Sequence, residues 1–189
     1  MSVPYKIGDL MIAGLDSSFA VPMAAQADAA RAAGVGLWSG YLTSKSNVGI
    51  AHPWRQFDFD NARRCGGTPI AYCSGNDDPV ACKALAASWS VHLCLDVESG
   101  IRGNGSWVQG WLDAAGAGLY GNAPVFIGRR AAFYILAAYP GNDPGATWPD
   151  NEPRPSWPCG WQWQGTHTEF GAGVDRGWYD DFFGPDIQP

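Results

Sequence analysis

The chain has 189 residues, 46% of them hydrophobic and 16% charged, which suits one folded domain spanning residues 1–189 and excludes a disordered polymer. The formal net charge is −6 and the pI about 4.8. Lys and Arg are scattered, with Arg63-Arg64 and Arg129-Arg130 the only adjacent pairs, so no basic patch invites nucleic acid and an anionic surface offers no electrostatic gain.

In chain order, short apolar runs alternate with amphipathic helical stretches. Met11–Asp16 reads as a strand and the Ala-rich Val21–Ala33 as a helix. A strand at Val35–Leu42 precedes a helix around Phe57–Cys65, and a strand at Thr68–Ser74 precedes a helix at Pro79–Ser88. Val91–Glu98 is the clearest strand, followed by a helix near Trp107–Ala115. Gly118–Gly121 gives a fifth strand, and Arg129–Tyr139 is expected to be a fifth helix. This alternation implies parallel strands joined by helical crossovers. After Tyr139 the rhythm breaks: residues 140–158 are rich in Pro, Gly, Asn and Asp, which favour turns. Further strands fit Ala146–Trp148, Gly160–Gln164 and Gly173–Trp178, with no good helix between them. The sum is an α/β fold, an irregular TIM-type barrel of about five βα units followed by about three strands, more economical than a full eightfold barrel of about 250 residues. No stretch is long enough to span a bilayer, and Met1–Leu15 lacks the basic flank and apolar run of a signal peptide.

Ten Trp, seven Tyr and eight Phe are a heavy aromatic load. Trp rings stack on the apolar faces of sugars and their N–H gives a directional donor, but core burial competes for the same rings. The cysteines, Cys65, Cys73, Cys82, Cys94 and Cys159, are odd in number and contain no C-x-x-C pair, which speaks against structural zinc. Buried thiols are the expected state. A Cys73–Cys82 disulfide is the alternative if one ends a strand and the other lies in the helix that follows. His52, His92 and His167 show no ligand spacing, so no metal and no cofactor are expected.

The most informative stretch is Val91-His92-Leu93-Cys94-Leu95-Asp96-Val97-Glu98. On a strand, alternate side chains face opposite ways, so the Val and Leu residues share the face that packs under helices while His92, Cys94, Asp96 and Glu98 point into the barrel. Asp96 and Glu98 fall at the strand's C-terminal end, where such barrels place their chemistry, with Cα atoms roughly 7 Å apart at a rise of about 3.3 Å per residue. Crowded carboxyls push one another's pKa values apart, leaving one protonated and one ionised, the division of labour that glycoside hydrolysis needs. Ordinary helix-capping residues would give the same Asp-x-Glu spacing. Other strand ends add to the pattern: Asp16 ends the first strand, Asp175 follows a late one, and Tyr41, Tyr72 and Tyr120 close the second, third and fifth. Trp161-Gln162-Trp163-Gln164 is expected to supply rings and amides, Trp161, Trp163 and Gln164 among them, to the same rim.

Together, Leu15-Asp16-Ser17-Ser18, Leu95-Asp96-Val97-Glu98, Trp161-Gln162-Trp163 and Val174-Asp175 resemble the lysozymes of glycoside hydrolase family 25 and the related glycoside-hydrolase-like domains of bacteria and their phages, over nearly the whole chain from Gly14 to Phe183. The resemblance implies an irregular barrel of five βα units and three extra strands. It implies that Glu98 is the general acid, that Asp96 assists by steadying an intermediate formed by the substrate's own acetamido group, and that Asp16 and Asp175 line and tune the site. The third strand, Ala71-Tyr72-Cys73-Ser74, departs from the Tyr-His pair typical of those lysozymes, which brings the chain nearer to the glycoside-hydrolase-like group.

The function so implied is hydrolysis of bacterial cell-wall glycan, peptidoglycan, by a lysozyme-like monomer made in the cytoplasm and released by lysis, as a bacteriophage endolysin is, or carried in a phage particle. The alternative is a non-catalytic glycan-binding or structural module on the same barrel. A metal-dependent barrel phosphodiesterase ranks last, because the histidines offer no ligand set.

Overall fold

The computed structural model describes residues 11–43, 52–97, 105–140 and 158–184. Eight strands, in sequence order, close into one barrel: β1 (Met11–Ser17), β2 (Val35–Tyr41), β3 (Ile70–Ser74), β4 (His92–Val97), β5 (Gly118–Gly121), β6 (Tyr134–Ala137), β7 (Cys159–Glu169) and β8 (Ala172–Asp180). Neighbours from β1 to β7 run parallel, whereas β8 pairs antiparallel with both β7 and β1 and so seals the seam. Helices α1 (Ala24–Ala32), α2 (Gln56–Ala62), α3 (Pro79–Ser88), α4 (Trp107–Ala115) and the single turn α5 (Ala123–Phe126) fill the crossovers among β1 to β6. Among the described residues no helix is long and apolar enough to cross a membrane.

The irregular TIM-type barrel expected from the sequence is therefore present, with one element changed. The helix expected over Arg129–Tyr139 is instead strand β6, paired with β5 and β7. A parallel strand buried on both faces reads as a continuous apolar run, and Tyr134-Ile135-Leu136-Ala137 between alanines has no period to separate strand from helix. The expected strand at Ala146–Trp148 lies outside the described residues, and the barrel closes without it. The last two strands are longer than anticipated and form a hairpin. Its two-residue turn, Phe170-Gly171, has positive φ at both positions (50° and 77°), the backbone of a type I′ turn whose twist matches the strands.

Two apolar layers result. The outer one, between strands and helices, includes Leu15, Trp38, Trp54, Cys73, Leu95, Leu119, Leu136, Trp161 and Val174. The inner one fills the lumen with Leu37, Tyr41, Ile70, Tyr72, Cys94, Tyr120, Ile135 and Tyr179, and is stoppered by Phe133 and Phe183. The lumen admits Tyr179 only because β1, β7 and β8 carry glycine around it: a Cβ at Gly14, Gly160 or Gly177 would come within 2.5, 2.5 and 2.7 Å of its ring. At the stoppered end the half-buried His92 meets Phe182 with ring centroids 4.9 Å apart and Phe183 edge-on, at the margin of the core and not within it. All five cysteines are free and buried.

Candidate active site

Alternation along the strands carries polar groups to the other end of the lumen. On β4, Cys94 lies in the inner layer, and two residues on Asp96 occupies the same face at the strand's end, fully buried beside Ser74 of β3 and Tyr120 of β5. On β1, Asp16 follows Gly14 into the lumen. On β8, Asp175 is the direct cross-strand partner of Asp16. Three acidic side chains from distant parts of the chain thus converge where the strands end, and Asp16 feels the charge of both Asp175 and Asp96. Glu98, the fourth sequence candidate, lies outside the described residues.

Each acid is held differently. The Tyr41 hydroxyl donates to Asp96 Oδ2 at 2.6 Å in a buried, charge-assisted geometry that fixes the carboxylate. Asp16 Oδ2 accepts from Gln162 Nε2 at 2.8 Å, whereas its Oδ1 is buried without a partner. Burial raises the Asp16 pKa well above the usual carboxylate range, and repulsion from Asp175 adds to the rise; the Gln162 bond opposes it without winning. Burial and the neighbouring acid thus favour the protonated form of Asp16.

The amide that binds Asp16 is itself oriented. Tyr139 donates to Gln162 Oε1 at 3.2 Å, and Tyr120 lies 2.7 Å from the Tyr139 hydroxyl. Since Tyr139 spends its proton on Gln162, Tyr120 is the donor to Tyr139, and a chain of aligned donors runs Tyr120, Tyr139, Gln162, Asp16. Tyr72 packs between Tyr41 and Tyr120, with centroids at 5.6 and 5.5 Å, and burial drives its pKa up so that it stays a neutral phenol. Beside the acids, a cavity of about 130 Å³ is lined by Asp16, Ser18, Phe19, Ala20, Gly173 and Asp175, with the Phe19 ring 67% exposed at its lip.

The structure thus brings Asp16, Asp96, Asp175, Tyr41, Tyr72 and Tyr120 to one end of the lumen. It does not bring Trp161 or Trp163 there. Both rings point outward and are buried: the Trp161 indole donates to the Ala138 carbonyl at 2.8 Å, and Trp163 carries the Arg176 guanidinium over its face at 5.8 Å. The expectation that they line the rim fails because Trp, Gln and Trp alternate along β7, and the residue that turns inward is the amide between them. Gln164 is half-buried beyond a register shift, with Oε1 buried and unpartnered. Gln162 belongs to the amides expected at the rim, and alternation in β7 is what turns it inward; Tyr139 carries no such signal, because its segment reads as helix.

Fold and site together define an irregular eight-stranded α/β barrel with carboxylic acids gathered inside one end, and solved glycosyl hydrolases share the barrel. Three solved structures illustrate the likeness. A family 25 glycosyl hydrolase from Bacillus anthracis matches with a TM-score of 0.56 at 11% identity, over 95% of this chain and 94% of its own. A muramidase from Acremonium alcalophilum matches with a TM-score of 0.59 at 17% identity, over 89% and 93%. An uncharacterized B. stearothermophilus protein matches with a TM-score of 0.63 at 18% identity, over 90% and 99%. No family model and no curated protein sequence matches the chain.

Proposed function

We propose that this chain is a glycosidase of the lysozyme kind that cleaves the glycan of the bacterial cell wall. The observation that carries the reading is the meeting of Asp16, Asp96 and Asp175 inside one end of the lumen, where burial and repulsion raise the pKa of Asp16. Burying Asp16 and Asp96 beside the half-buried Asp175 costs stability, which supports a use for the group in chemistry. The muramidases that share this barrel supply the substrate class.

In the proposed reaction Glu98, two residues beyond Asp96, protonates the departing glycosidic oxygen as the C–O bond breaks. The substrate's acetamido oxygen captures the cationic anomeric carbon, and Asp96, fixed by Tyr41, steadies the positive ring so formed. Water then opens that ring, returning a proton to Glu98. Asp16, whose pKa is raised by burial and by Asp175, lowers the charge repulsion across the β1–β8 pair to the extent that it is protonated.

The test is clearing of purified peptidoglycan by the wild type and by Glu98→Gln. A general acid contributes about 10²–10⁴-fold, so the variant should retain its fold and lose nearly all activity. Equal clearing by both proteins removes Glu98 from the mechanism. Binding to the wall without clearing by either protein favours a glycan-binding module instead.

A further inference from the structure

Away from the acids, and on the outer side of the barrel, Cys73 of β3, Asp77 of the following loop and Cys82 of α3 meet. One ligand atom from each lies within 4.8 Å of the other two, and among the described residues these three form the one such cluster of Cys, His, Asp or Glu. We infer that Cys73, Asp77 and Cys82 bind one thiophilic divalent cation, Zn²⁺ above others, with water in the fourth position.

The geometry favours a cation over a disulfide. Bond lengths of about 2.3 Å to sulfur and 2.0–2.2 Å to oxygen place tetrahedral ligand atoms roughly 3.5–3.8 Å apart, so closing on a metal asks for shifts of about 1 Å. A disulfide needs its sulfurs at about 2.05 Å and does not involve the carboxylate that completes the cluster. The two thiols are hydrogen-bonded to one another and both feel the charge of Asp77, which sets two soft donors and a carboxylate around one point.

Asp77 is also held as ligating carboxylates usually are. Its Oδ2 accepts from Thr43 Oγ1 at 2.6 Å and from the Ser74 amide at 3.1 Å, while its own carbonyl accepts from the Trp111 indole at 2.9 Å. Such outer partners fix the carboxylate before any ion arrives. Asp77 is half-buried, Cys73 fully buried and Cys82 4% exposed, so the ion enters past the carboxylate and ends between strand and helix. Each thiol that ligates releases its proton to solvent. The bound ion would tie β3 to α3 next to Ser74, whose cross-strand partner is Asp96.

Protein stripped with a chelator under reductant and titrated with Co²⁺ should take up one ion per chain and develop a sulfur-to-cobalt charge-transfer band. Zn²⁺ should displace the band and raise the thermal midpoint. Cys82→Ser should abolish the band, although Cys65, Cys94 and Cys159 remain, and Thr43→Ala should weaken binding by about 10–100-fold. Should Cys82→Ser not fold, X-ray absorption of the Zn²⁺-loaded wild type decides the matter by showing two sulfur ligands. A missing band, a band that survives Cys82→Ser, fewer than two sulfurs at zinc, or loss of two thiols in air through a disulfide would each overturn the inference.

Discussion

Asp16→Asn should make the protein more stable near neutral pH and less active. The carboxyl is 6% exposed, with one oxygen bonded to Gln162 and the other without a partner, and its pKa is raised by burial and by Asp175. In the unfolded chain the same group titrates near 3.8. Below that pH both states hold the proton, and the fold keeps its full share of stability. As pH rises past 3.8 the unfolded chain gives up its proton while the folded one retains it, so stability falls by about 1.4 kcal/mol per pH unit until the folded group also ionises. Asparagine keeps an acceptor for Gln162, offers N–H toward Asp175 and does not titrate.

The gain should therefore be small at pH 3.5 and grow toward pH 7. Its size follows from the slope, about 1.4 kcal/mol for each pH unit over which only the folded group keeps its proton. At about 2–4 °C per kcal/mol for a chain of this length, the midpoint should rise by about 3–6 °C per such pH unit. Thermal unfolding of both proteins across that pH range reads the difference directly. A gap that does not change with pH, or a variant less stable at pH 7, would mean that the fold does not favour the protonated form of Asp16. Stability gained with clearing activity lost is the mark of a residue kept for chemistry.

Two further substitutions test the same geometry. Tyr41→Phe removes the 2.6 Å donor to Asp96 and should lower kcat by about tenfold or more with a smaller change in KM, at a stability cost of about 1–3 kcal/mol; steady-state kinetics on a soluble glycan that return an unchanged kcat would refute the positioning role. Trp161→Ala should destabilise by about 3–5 kcal/mol in denaturant unfolding and leave KM of the surviving folded protein unchanged, because its ring faces the outer layer; a raised KM in fully folded protein would put the ring back on the substrate.

Much of the barrel was legible because its signals are local. Val91 to Val97 alternates cleanly, so the inward direction of Cys94 and Asp96 could be read from period alone. Asp16 and Asp175 were legible as strand-end acids, though not as partners, since nothing in the sequence says that β8 returns antiparallel beside β1. Tyr134–Ala137 was not legible. Its strand character comes from being covered on both faces by β5 and β7, which is a tertiary fact, while its alanines speak for helix. The hydrogen-bond chain through Tyr139 was lost with it, since a helix would have sent that hydroxyl elsewhere.

The tryptophans misled for a reason that the fold makes plain. In a complete βα barrel every strand is followed by a helix that covers its outer face. Here β7 passes straight into β8 through a two-residue turn, leaving the outside of the hairpin with no helix of its own. Trp161, Trp163 and the partly buried Trp178 close that side instead, packed against the outer core, with the Arg176–Glu169 ion pair beside them. A ring of such area does on one residue what a helix does with several small apolar ones. Three of the ten tryptophans thus lie on the hairpin, where the turn between the strands leaves no room for a helix. Among the described residues, Tyr41 bonds to Asp96, Tyr139 to the amide that holds Asp16, and Phe19 borders the cavity beside Asp16 and Asp175.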